Sequence, residues 1–210
     1  KKIFRKINTV LFLAGARGLG ILNFKTPYQS GEIPFLKKFL KKYDNESYTI
    51  LDVGANKGEF ALGILSSTEK IRIISFEPNP NAIKELENNI KPFFQRHNLI
   101  KKGLGSKDSK SEIFDYMDNE KATKGHATLY EDVLKDIFKS DKIKSYPIEV
   151  VTLDSQFDQI KTKVCLLKID TEGHEKEVLL GSKIFLNKYK PEIILLEFNE
   201  MNIRKFNYKQ

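Results

Sequence analysis

The 210-residue sequence is 40% hydrophobic, which provides enough apolar side chains for one packed domain and argues against a disordered chain. Its formal charge of +8 favours anionic ligands, but the lysines are spread along the chain and no aromatic and basic RNA-binding motif is present, so we predict no nucleic-acid partner. Cys165 is the one cysteine of the chain, so an internal disulfide is excluded, as is typical of a protein of the reducing cytoplasm. It lies within an apolar run and is predicted to pack as a small hydrophobic residue.

The first segment of the chain combines positive charge with a helical pattern. Basic residues within positions 1–6 precede an apolar run at positions 10–14, which is too short for a secretory signal or a membrane span. The apolar residues here follow helical spacing: Ile3, Phe4, Ile7, Val10 and Leu11. A helix packed on the domain is one interpretation, and peripheral contact with an anionic membrane surface is the other.

A predicted strand at residues 48–53 leads into the glycine loop Gly54-Ala-Asn-Lys-Gly58. A tight glycine turn after a buried strand presents backbone N–H groups at the carboxyl end of an α/β sheet. The loop lacks the G-x-G-x-x-G spacing of a dinucleotide site, and the carboxylate of Asp52 would repel a phosphate. The carboxylate of Asp52 would instead stabilise an ammonium or a sulfonium group, and S-adenosyl-L-methionine carries both. We therefore predict that this cofactor binds to Asp52, Gly54, Ala55, Asn56 and Gly58.

A second acid follows the next predicted strand, at residues 71–76. Glu77 would lie at the strand tip, where folds of this kind bind a ribose diol, and this feature is shared with NAD sites. Pro78 and Asn79 complete the predicted cofactor-binding turn, and residues 81–90 have helical spacing. The alternative for Glu77 is an ordinary solvated carboxylate at the end of a strand.

Further strands are predicted at residues 99–104, 148–153, 164–169 and 192–198, with helices in most of the intervals. This alternation predicts one α/β domain with a central, mostly parallel, twisted sheet and helices on both faces. One helical stripe consists of Leu129, Val133, Leu134, Ile137 and Phe138. Residues 105–125 are polar and charged, with a short strand at 113–117, and resemble an insertion that covers adenine or the acceptor. His97 and His126 have no ligand spacing and are predicted in surface or loop positions.

The segment Leu166-Leu-Lys-Ile-Asp-Thr-Glu-Gly-His-Glu175 places two acids and a histidine after a buried strand. In a doubly wound sheet this strand delivers its last residues to the reacting group, so Asp170, Glu172 and His174 are the predicted catalytic residues, and Asp170 is also predicted to bind cofactor. Methyl transfer to a hydroxyl needs alignment and a proton acceptor, which His174 or Asp170 could provide. The alternative makes Asp170 or Glu172 a helix-capping acid and His174 an ordinary exposed residue.

Two further acids leave alternatives open. Asp154 follows a strand and precedes Ser155-Gln-Phe, a pattern that favours a helix cap over a pocket residue. Glu197 could converge with Asp170 and Glu172, and hard cations prefer such oxygens, but the spacing requires no metal. We predict no metal ligands and leave a divalent cation as the alternative.

Together these motifs resemble the FkbM family of S-adenosylmethionine-dependent methyltransferases. The resemblance covers most of the chain and depends on an ordered set: Leu51-Asp-Val-Gly-Ala-Asn-Lys-Gly58, Phe76-Glu-Pro-Asn79, Val151-Thr-Leu-Asp154, Lys168-Ile-Asp-Thr-Glu-Gly-His-Glu175, residues 178–181 and residues 191–197. It implies a Rossmann-like class I methyltransferase fold and O-methylation of hydroxyls on sugars or polyketides. Gly18-Leu-Gly-Ile-Leu-Asn23 and Ser30-Gly-Glu32 resemble bacterial members associated with surface glycans.

The resemblance also sets the expected organisation. Residues 1–45 would form an N-terminal helical extension on the acceptor side, and residues 46–210 the methyltransferase domain. The chain stops at Gln210, where such domains usually add a closing antiparallel hairpin, so we expect either a truncated C-terminus or a differently built sheet edge. The predicted function is transfer of a methyl group to a hydroxyl, on a sugar of a glycan or glycoconjugate. The alternatives are an NAD-dependent oxidoreductase, favoured by Glu77 and opposed by Asp52, and a non-catalytic binding module. The sequence specifies neither the acceptor nor the oligomeric state.

Overall fold

The computed structural model describes residues 8, 11, 32–43, 45–118, 121–122, 127–138, 142–198, 201–202 and 205. The chain divides into two compact units, residues 1–42 and residues 43–210. In the first unit, helix α1 (Glu32–Leu40) buries one face through Ile33, Leu36 and Leu40. The predicted membrane-binding helix, apart from Asn8 and Leu11, and the glycan-type motif before Glu32 lie outside the described residues, as does His126.

The second unit is built on a five-stranded sheet in which every neighbouring pair is parallel. In their order across the sheet, its strands are β3 (His97–Ile100), β2 (Arg72–Phe76), β1 (Tyr48–Val53), β8 (Lys163–Ile169) and β9 (Ile193–Leu196). Four helices accompany them, namely α2 (Glu59–Leu65), α3 (Pro80–Ile90), α5 (Glu175–Leu180) and α6 (Lys183–Tyr189). From β1 the chain proceeds to β2 and β3 towards one edge of the sheet, and from β8 to β9 towards the other edge. Because connections between parallel strands are right-handed, α2 and α3 lie on one face of the sheet, and α5 and α6 lie on the other.

This topology explains where a ligand binds. The strand order reverses between β1 and β8, and a crevice forms at the carboxyl ends of the strands at such a point. Val53 lies in register with Phe76 on one side and with Ile169 on the other, so the three strands end at the same level. The loops that follow these strands therefore converge on one crevice.

A second, four-stranded sheet lies between β3 and β8 in sequence. In their order across the sheet, its strands are β4 (Gly103–Leu104), β7 (Ile143–Val151), β5 (Ser109–Asp118) and β6 (Lys121–Ala122), and α4 (Glu131–Phe138) lies between β6 and β7 in sequence. The antiparallel pair of β5 and β7 forms most of this sheet. The residues predicted to be an insertion over the ligand edge thus form its long strand, β5.

Alternation along the parallel strands separates two buried faces. Leu51 and Val53 of β1 belong to a core that also contains Phe76, Ile169 and Phe185. The side chains of Ile50 and Asp52, which alternate to the opposite face, are also buried, so β1 is covered on both sides, as expected for a parallel strand between helices. Burying the carboxylate of Asp52 is costly unless charged or polar groups lie next to it.

The predicted mostly parallel sheet with helices on both faces is confirmed, and two details differ. The single strand predicted at residues 99–104 is wrong, because a turn at residues 101–102 separates β3 from β4 and the two belong to different sheets. His97 lies in β3 instead of a loop, 2.9 Å from Ser75, and burial lowers its pKa to about 4. Within the described residues, no helix is both long and apolar enough to span a membrane.

Candidate functional site

A cavity of about 610 Å³ lies at the carboxyl ends of the parallel strands. This volume falls within the range of natural small-molecule sites. One wall comes from the loops after β1, β2 and β8, and includes Gly54, Glu77 and Asp170. The other comes from the second sheet and the segment before α4, and includes Ile113, Tyr146 and Leu129. The cavity therefore joins the part of the fold that carries the glycine loop with the part that covers it.

The glycine loop is held tightly against β2 and β8. The N–H groups of Gly54 and Ala55 donate to the Phe76 carbonyl at 2.9 and 3.2 Å. Gly54 has a φ of +79°, and a Cβ atom there would lie 1.8 Å from the backbone oxygen of Asp170. Only glycine satisfies both conditions, so this close approach fixes the distance between the loop and the acidic residue after β8.

Glu77 lines the cavity at the tip of β2 and is only 5% exposed. Its Oε2 accepts a hydrogen bond from the Asn56 N–H at 2.6 Å, and its Oε1 accepts one from the Asn79 N–H at 2.8 Å. Burial raises the pKa of Glu77 to about 7, although the two backbone donors partly offset this rise. Because an ionised carboxylate has further acceptor capacity, Glu77 can still bind the two hydroxyls of a ribose.

Asp52 lies in a buried polar row beneath the loop. Its neighbours in register are Ser75 on β2 and Lys168 on β8. The Ser75 hydroxyl donates to Asp52 Oδ2 at 3.4 Å, and Lys168 Nζ lies 3.9 Å from Oδ1. The same ammonium donates to Asp170 Oδ2 at 2.8 Å. The charge of Asp52 is thus linked to the cavity through Lys168 and Asp170.

The loop after β8 has a strained backbone that Glu175 stabilises. Glu172 has a φ of 50° and Gly173 a φ of 101°. Glu175, buried at the start of α5, accepts hydrogen bonds through Oε1 from the Thr171 N–H at 2.8 Å and from the Gly173 N–H at 3.3 Å. Thr128, next to the second sheet, donates to the Glu172 carbonyl at 2.7 Å. These bonds hold the loop in the conformation that directs Asp170 and Glu172 to the cavity.

His174 belongs to a chain of hydrogen bonds that reaches the C-terminal part of the domain. Its Nδ1 lies 2.5 Å from the Tyr130 hydroxyl, and Lys205 Nζ donates to the same hydroxyl. Lys205 also donates to the Gly173 carbonyl at 3.1 Å and to Glu177 Oε2 at 2.9 Å. Since Lys205 can only donate, the arrangement that satisfies every group has Tyr130 donating to Nδ1, which places the imidazole proton on Nε2.

The protonation of this chain follows from its surroundings. Burial lowers the pKa of His174, so the imidazole is neutral at pH 7. Burial and the carboxylates of Glu177, Glu175 and Asp132 raise the pKa of Tyr130, so its phenol keeps the proton that it donates. The interpretation of His174 as an ordinary exposed residue is wrong, because its side chain is only 13% exposed and lines the cavity.

Acidic side chains form the remainder of this end of the cavity. Glu197 follows β9 and lines the cavity together with Asp170 and Glu172. The side chain of Glu197 is exposed, yet surrounding protein atoms displace part of its hydration. This desolvation is the main cause that raises the pKa of Glu197 to about 8, and the nearby carboxylates of Asp170 and Glu172 add to the rise. Among the residues that the structure describes, no group of three or more Asp, Glu, His or Cys side chains has the arrangement of a metal site.

Most of the predicted site residues meet at this cavity. Those that line it are Gly54, Asn56, Glu77, Pro78, Asn79, Asp170, Glu172 and His174. Asp52, Ala55 and Gly58 are not among the described residues that line it, and Asp52 has no exposed surface. Asp154 is a helix cap, as favoured, but it caps α6: its carboxylate accepts from the N–H groups of Ile184 and Phe185 at 3.1 and 2.7 Å.

Sequence reasoning missed four residues of the site: Asp115, Tyr130, Glu175 and Lys205. Tyr130 and Lys205 are distant from the glycine loop and from His174 in sequence, so no local motif could identify them. Asp115 did carry a signal. It is a charged residue in an alternating segment, at the same parity as Ile113 and Met117, and therefore shares their face of β5.

Comparison with known proteins identifies the family. The sequence model described as the methyltransferase FkbM domain matches residues 52–208, which is more than half of the chain. The chain belongs to the FkbM methyltransferase family. Its parallel sheet is accordingly a Rossmann-like class I methyltransferase fold, and membership of the family implies use of S-adenosylmethionine.

Individual relatives of this methyltransferase are distant. The AMB antimetabolite synthetase AmbE of Pseudomonas aeruginosa is 27% identical over an alignment of 161 residues, and the match covers 63% of this chain and 7% of the synthetase. Among solved structures, precorrin-6y C5,15-methyltransferase of Geobacter metallireducens is 11% identical, with 77% of this chain and 60% of that one covered and a TM-score of 0.41. Precorrin 8w decarboxylase of Methanobacterium thermoautotrophicum is 14% identical, with coverages of 83% and 72% and a TM-score of 0.39.

Proposed function

We propose that this protein transfers a methyl group from S-adenosylmethionine to a hydroxyl, on a sugar of a glycan or glycoconjugate. The observation that carries the proposal is the polarity of the cavity end next to the glycine loop, where Asp170, Glu172, His174 and Glu197 all line the wall. Such a set of hydrogen-bonding side chains suits an acceptor rich in hydroxyls. An aromatic or apolar acceptor would leave these groups without partners.

The donor side of the cavity fits the cofactor. Glu77 would hold the ribose, as its position at the tip of β2 and its remaining acceptor capacity suggest. Gly54 and Asn56 border the space for the methionine part, and the charge of Asp52 would act there through Lys168 and Asp170. When bound, S-adenosylmethionine supplies a methyl carbon that its positive sulfur activates. The protein then has to align the acceptor oxygen and remove its proton.

Asp170 is the best candidate for the proton acceptor. It lines the cavity directly after β8, and Lys168, 2.8 Å away, stabilises its negative charge. His174 is less suited to this step, because Tyr130 occupies Nδ1 and the proton on Nε2 makes that atom a donor. We assign His174 to orienting the acceptor, with Nε2–H donating to an acceptor oxygen. This division keeps both residues in the catalytic group predicted from the sequence and gives them different tasks.

Two other functions are less well supported. A nicotinamide-dependent oxidoreductase would share Glu77, but the glycine spacing and membership of a methyltransferase family oppose it. A small-molecule acceptor has some support because one relative is an antimetabolite synthetase, although the match covers only 7% of that protein. The acid-rich end of the cavity favours a sugar over an apolar small molecule.

The test combines binding and turnover. We expect calorimetric titration with S-adenosylhomocysteine to show saturable binding, and titration with NAD to show none. Transfer of radiolabelled methyl groups would then be measured on a panel of p-nitrophenyl glycosides, with simple aromatic alcohols as matched acceptors, with and without magnesium. Transfer to a glycoside is the expected result. Transfer only to the aromatic alcohols, or NAD binding without S-adenosylhomocysteine binding, would contradict the proposal.

A further inference from the structure

One oxygen of a buried carboxylate on the covering sheet has no hydrogen-bond partner among the described residues. Asp115 of β5 is 2% exposed and lines the cavity. Its Oδ2 accepts hydrogen bonds from Asn79 Nδ2 at 3.1 Å and Asn81 Nδ2 at 3.3 Å. Its Oδ1 is buried and has no hydrogen-bond partner among the described residues. Leaving a buried carboxylate oxygen unsatisfied is costly, so its presence in a cavity wall indicates that a ligand donor completes it.

The position of Asp115 indicates which part of a ligand it meets. Asn79 joins it to the ribose-binding carboxylate, because the Asn79 N–H donates to Glu77 at 2.8 Å while the Asn79 side chain donates to Asp115. Asp115 is therefore near the ribose subsite. The base is attached to the ribose, whereas the transferred methyl group lies at the opposite end of the cofactor. A donor that reaches Asp115 is accordingly a group of the base.

The neighbours of Asp115 suit a planar ring. Ile113 and Met117 lie on the same face of β5 and line the cavity on either side of it. Leu129 lines the same cavity, as does Pro78, the residue between Glu77 and Asn79. Apolar side chains around one polar group of fixed position are typical of sites that recognise an aromatic heterocycle.

We propose that Asp115 determines the base specificity of the cofactor site, with Oδ1 accepting a hydrogen bond from the exocyclic amine of adenine. This inference rests on the proposed function, because it requires S-adenosylmethionine as donor. An ionised carboxylate only accepts, so it discriminates against hypoxanthine, which has a carbonyl oxygen in place of the amine. With an inosyl cofactor, Asp115 Oδ1 and the hypoxanthine carbonyl oxygen would face each other as two acceptors with no proton between them. Asp115 thus disfavours binding of the inosyl cofactor.

The experiment compares S-adenosylhomocysteine with S-inosylhomocysteine, its deaminated form, by calorimetric titration. We expect the unchanged protein to bind the adenosyl compound at least about tenfold more tightly, the effect of one hydrogen bond. In Asp115→Asn the amide oxygen remains opposite the donors Asn79 and Asn81, so the amide NH₂ faces the base and now suits a carbonyl. The preference for the adenosyl compound should disappear or reverse.

Glu112→Gln is the matched control. Glu112 lies on the same strand, is exposed, and alternates to the opposite face from Asp115, so this acid-to-amide change should leave the preference intact. Thermal melting would establish that both variants are folded. A folded Asp115→Asn with an unaltered preference, or with equal loss for both compounds, would overturn the inference. Absence of S-adenosylhomocysteine binding by the unchanged protein would overturn the proposed function and this inference with it.

Discussion

The two walls of the cavity are built in different ways. The wall at the tips of the parallel strands consists of short segments, in which Gly54 and Glu77 directly follow the strands that position them. The covering wall consists of side chains from β5, β7 and the segment before α4, and its contacts join residues that are far apart in sequence, such as Tyr130 and His174. The first wall is fixed by backbone geometry, and the second by side-chain hydrogen bonds.

This difference has a consequence for mutations. Backbone geometry in the first wall tolerates almost no added volume, because strand tips and loops lie within van der Waals contact. A side-chain hydrogen bond in the second wall can be removed while the sheet remains folded, since β5 and β7 stay paired from Ser109–Val150 to Tyr116–Ile143. Substitutions in the first wall should therefore affect folding and binding together, and substitutions in the second should affect selectivity or turnover.

The largest expected effect is that of Gly54→Ala. The added Cβ would lie 1.8 Å from the Asp170 backbone oxygen, so β1 and β8 would have to separate. We expect destabilisation on the order of 4 kcal/mol or more, with loss of S-adenosylhomocysteine binding. Chemical denaturation and calorimetry would measure both quantities.

Gly58→Ala is the control for this prediction. Gly58 has the same φ of +79°, but its Cβ would first meet a side-chain atom, Leu86 Cγ, at 3.1 Å, a contact that a shift of a few tenths of an ångström relieves. Its cost should be about 1–2 kcal/mol, the penalty for a left-handed alanine. Equal destabilisation by the two variants would show that the backbone conformation, and not the close approach to Asp170, limits this wall.

The next effect concerns pH. Burial raises the pKa of Glu77 from 4.5 to about 7, so a proton occupies the carboxylate below pH 7 and must leave before both oxygens accept from a ribose. S-Adenosylhomocysteine affinity should be constant above pH 7 and fall by up to about tenfold per pH unit below it. The pKa of Glu77 is higher in the folded than in the unfolded chain, so the group also affects folding. Its contribution to the free energy of unfolding is present below pH 4.5 and is lost as the pH rises through 7. Calorimetry between about pH 5.5 and 8.5 would measure the affinity.

Two variants isolate Glu77 as the titrating group. Glu77→Gln should bind more weakly at pH 8, by roughly tenfold or more, because its NH₂ faces a backbone N–H, and it should lose the pH dependence. Glu85→Gln changes another carboxylate of the cavity, which pairs with Lys57 at 2.6 Å, and should retain the pH dependence. A flat pH profile in the unchanged protein would contradict the assignment of Glu77 to the ribose.

The same contrast explains what the sequence could predict. The loop at Gly54 and the acid at Glu77 follow strands whose apolar residues are continuous in sequence, so the strand, the turn and the functional residue could be read together. The length of β5 could not, because its ten residues are set by pairing with β7, about 30 residues away along the chain. Tyr130 and Lys205 could not be predicted from the sequence either, since their role depends on tertiary contacts with His174 and Glu177.

A smaller effect is expected for Tyr130→Phe, which tests the second wall. Losing the hydroxyl removes the donor to His174 Nδ1, so the imidazole should change from one tautomer to a mixture. Nitrogen-15 NMR of the imidazole would observe this change without any acceptor. Turnover on a glycoside that accepts methyl groups should fall by about tenfold, with little change in S-adenosylhomocysteine affinity.

His174→Ala should lower turnover at least as much and also leave cofactor affinity largely unchanged. Tyr146→Phe removes the hydroxyl of a tyrosine that lines the cavity and should not alter the His174 spectrum. If cofactor affinity fell as much as turnover in His174→Ala, the assignment of His174 to orienting the acceptor would be wrong.

The smallest effect tests whether the contrast extends beyond the cavity. Asp154→Ala removes the carboxylate that caps α6 through the N–H groups of Ile184 and Phe185, and neither of these residues lines the cavity. The loss should be about 1 kcal/mol, which lowers the melting temperature by roughly 2–4 °C, with no change in S-adenosylhomocysteine affinity. Asp158→Ala changes an exposed acid in the same short segment, Leu153–Gln159, and should have almost no effect on either quantity. Weaker cofactor binding in Asp154→Ala alone would mean that the position of α6 is transmitted to the strand tips, because α6 packs through Phe185 on the core that contains Val53 and Ile169.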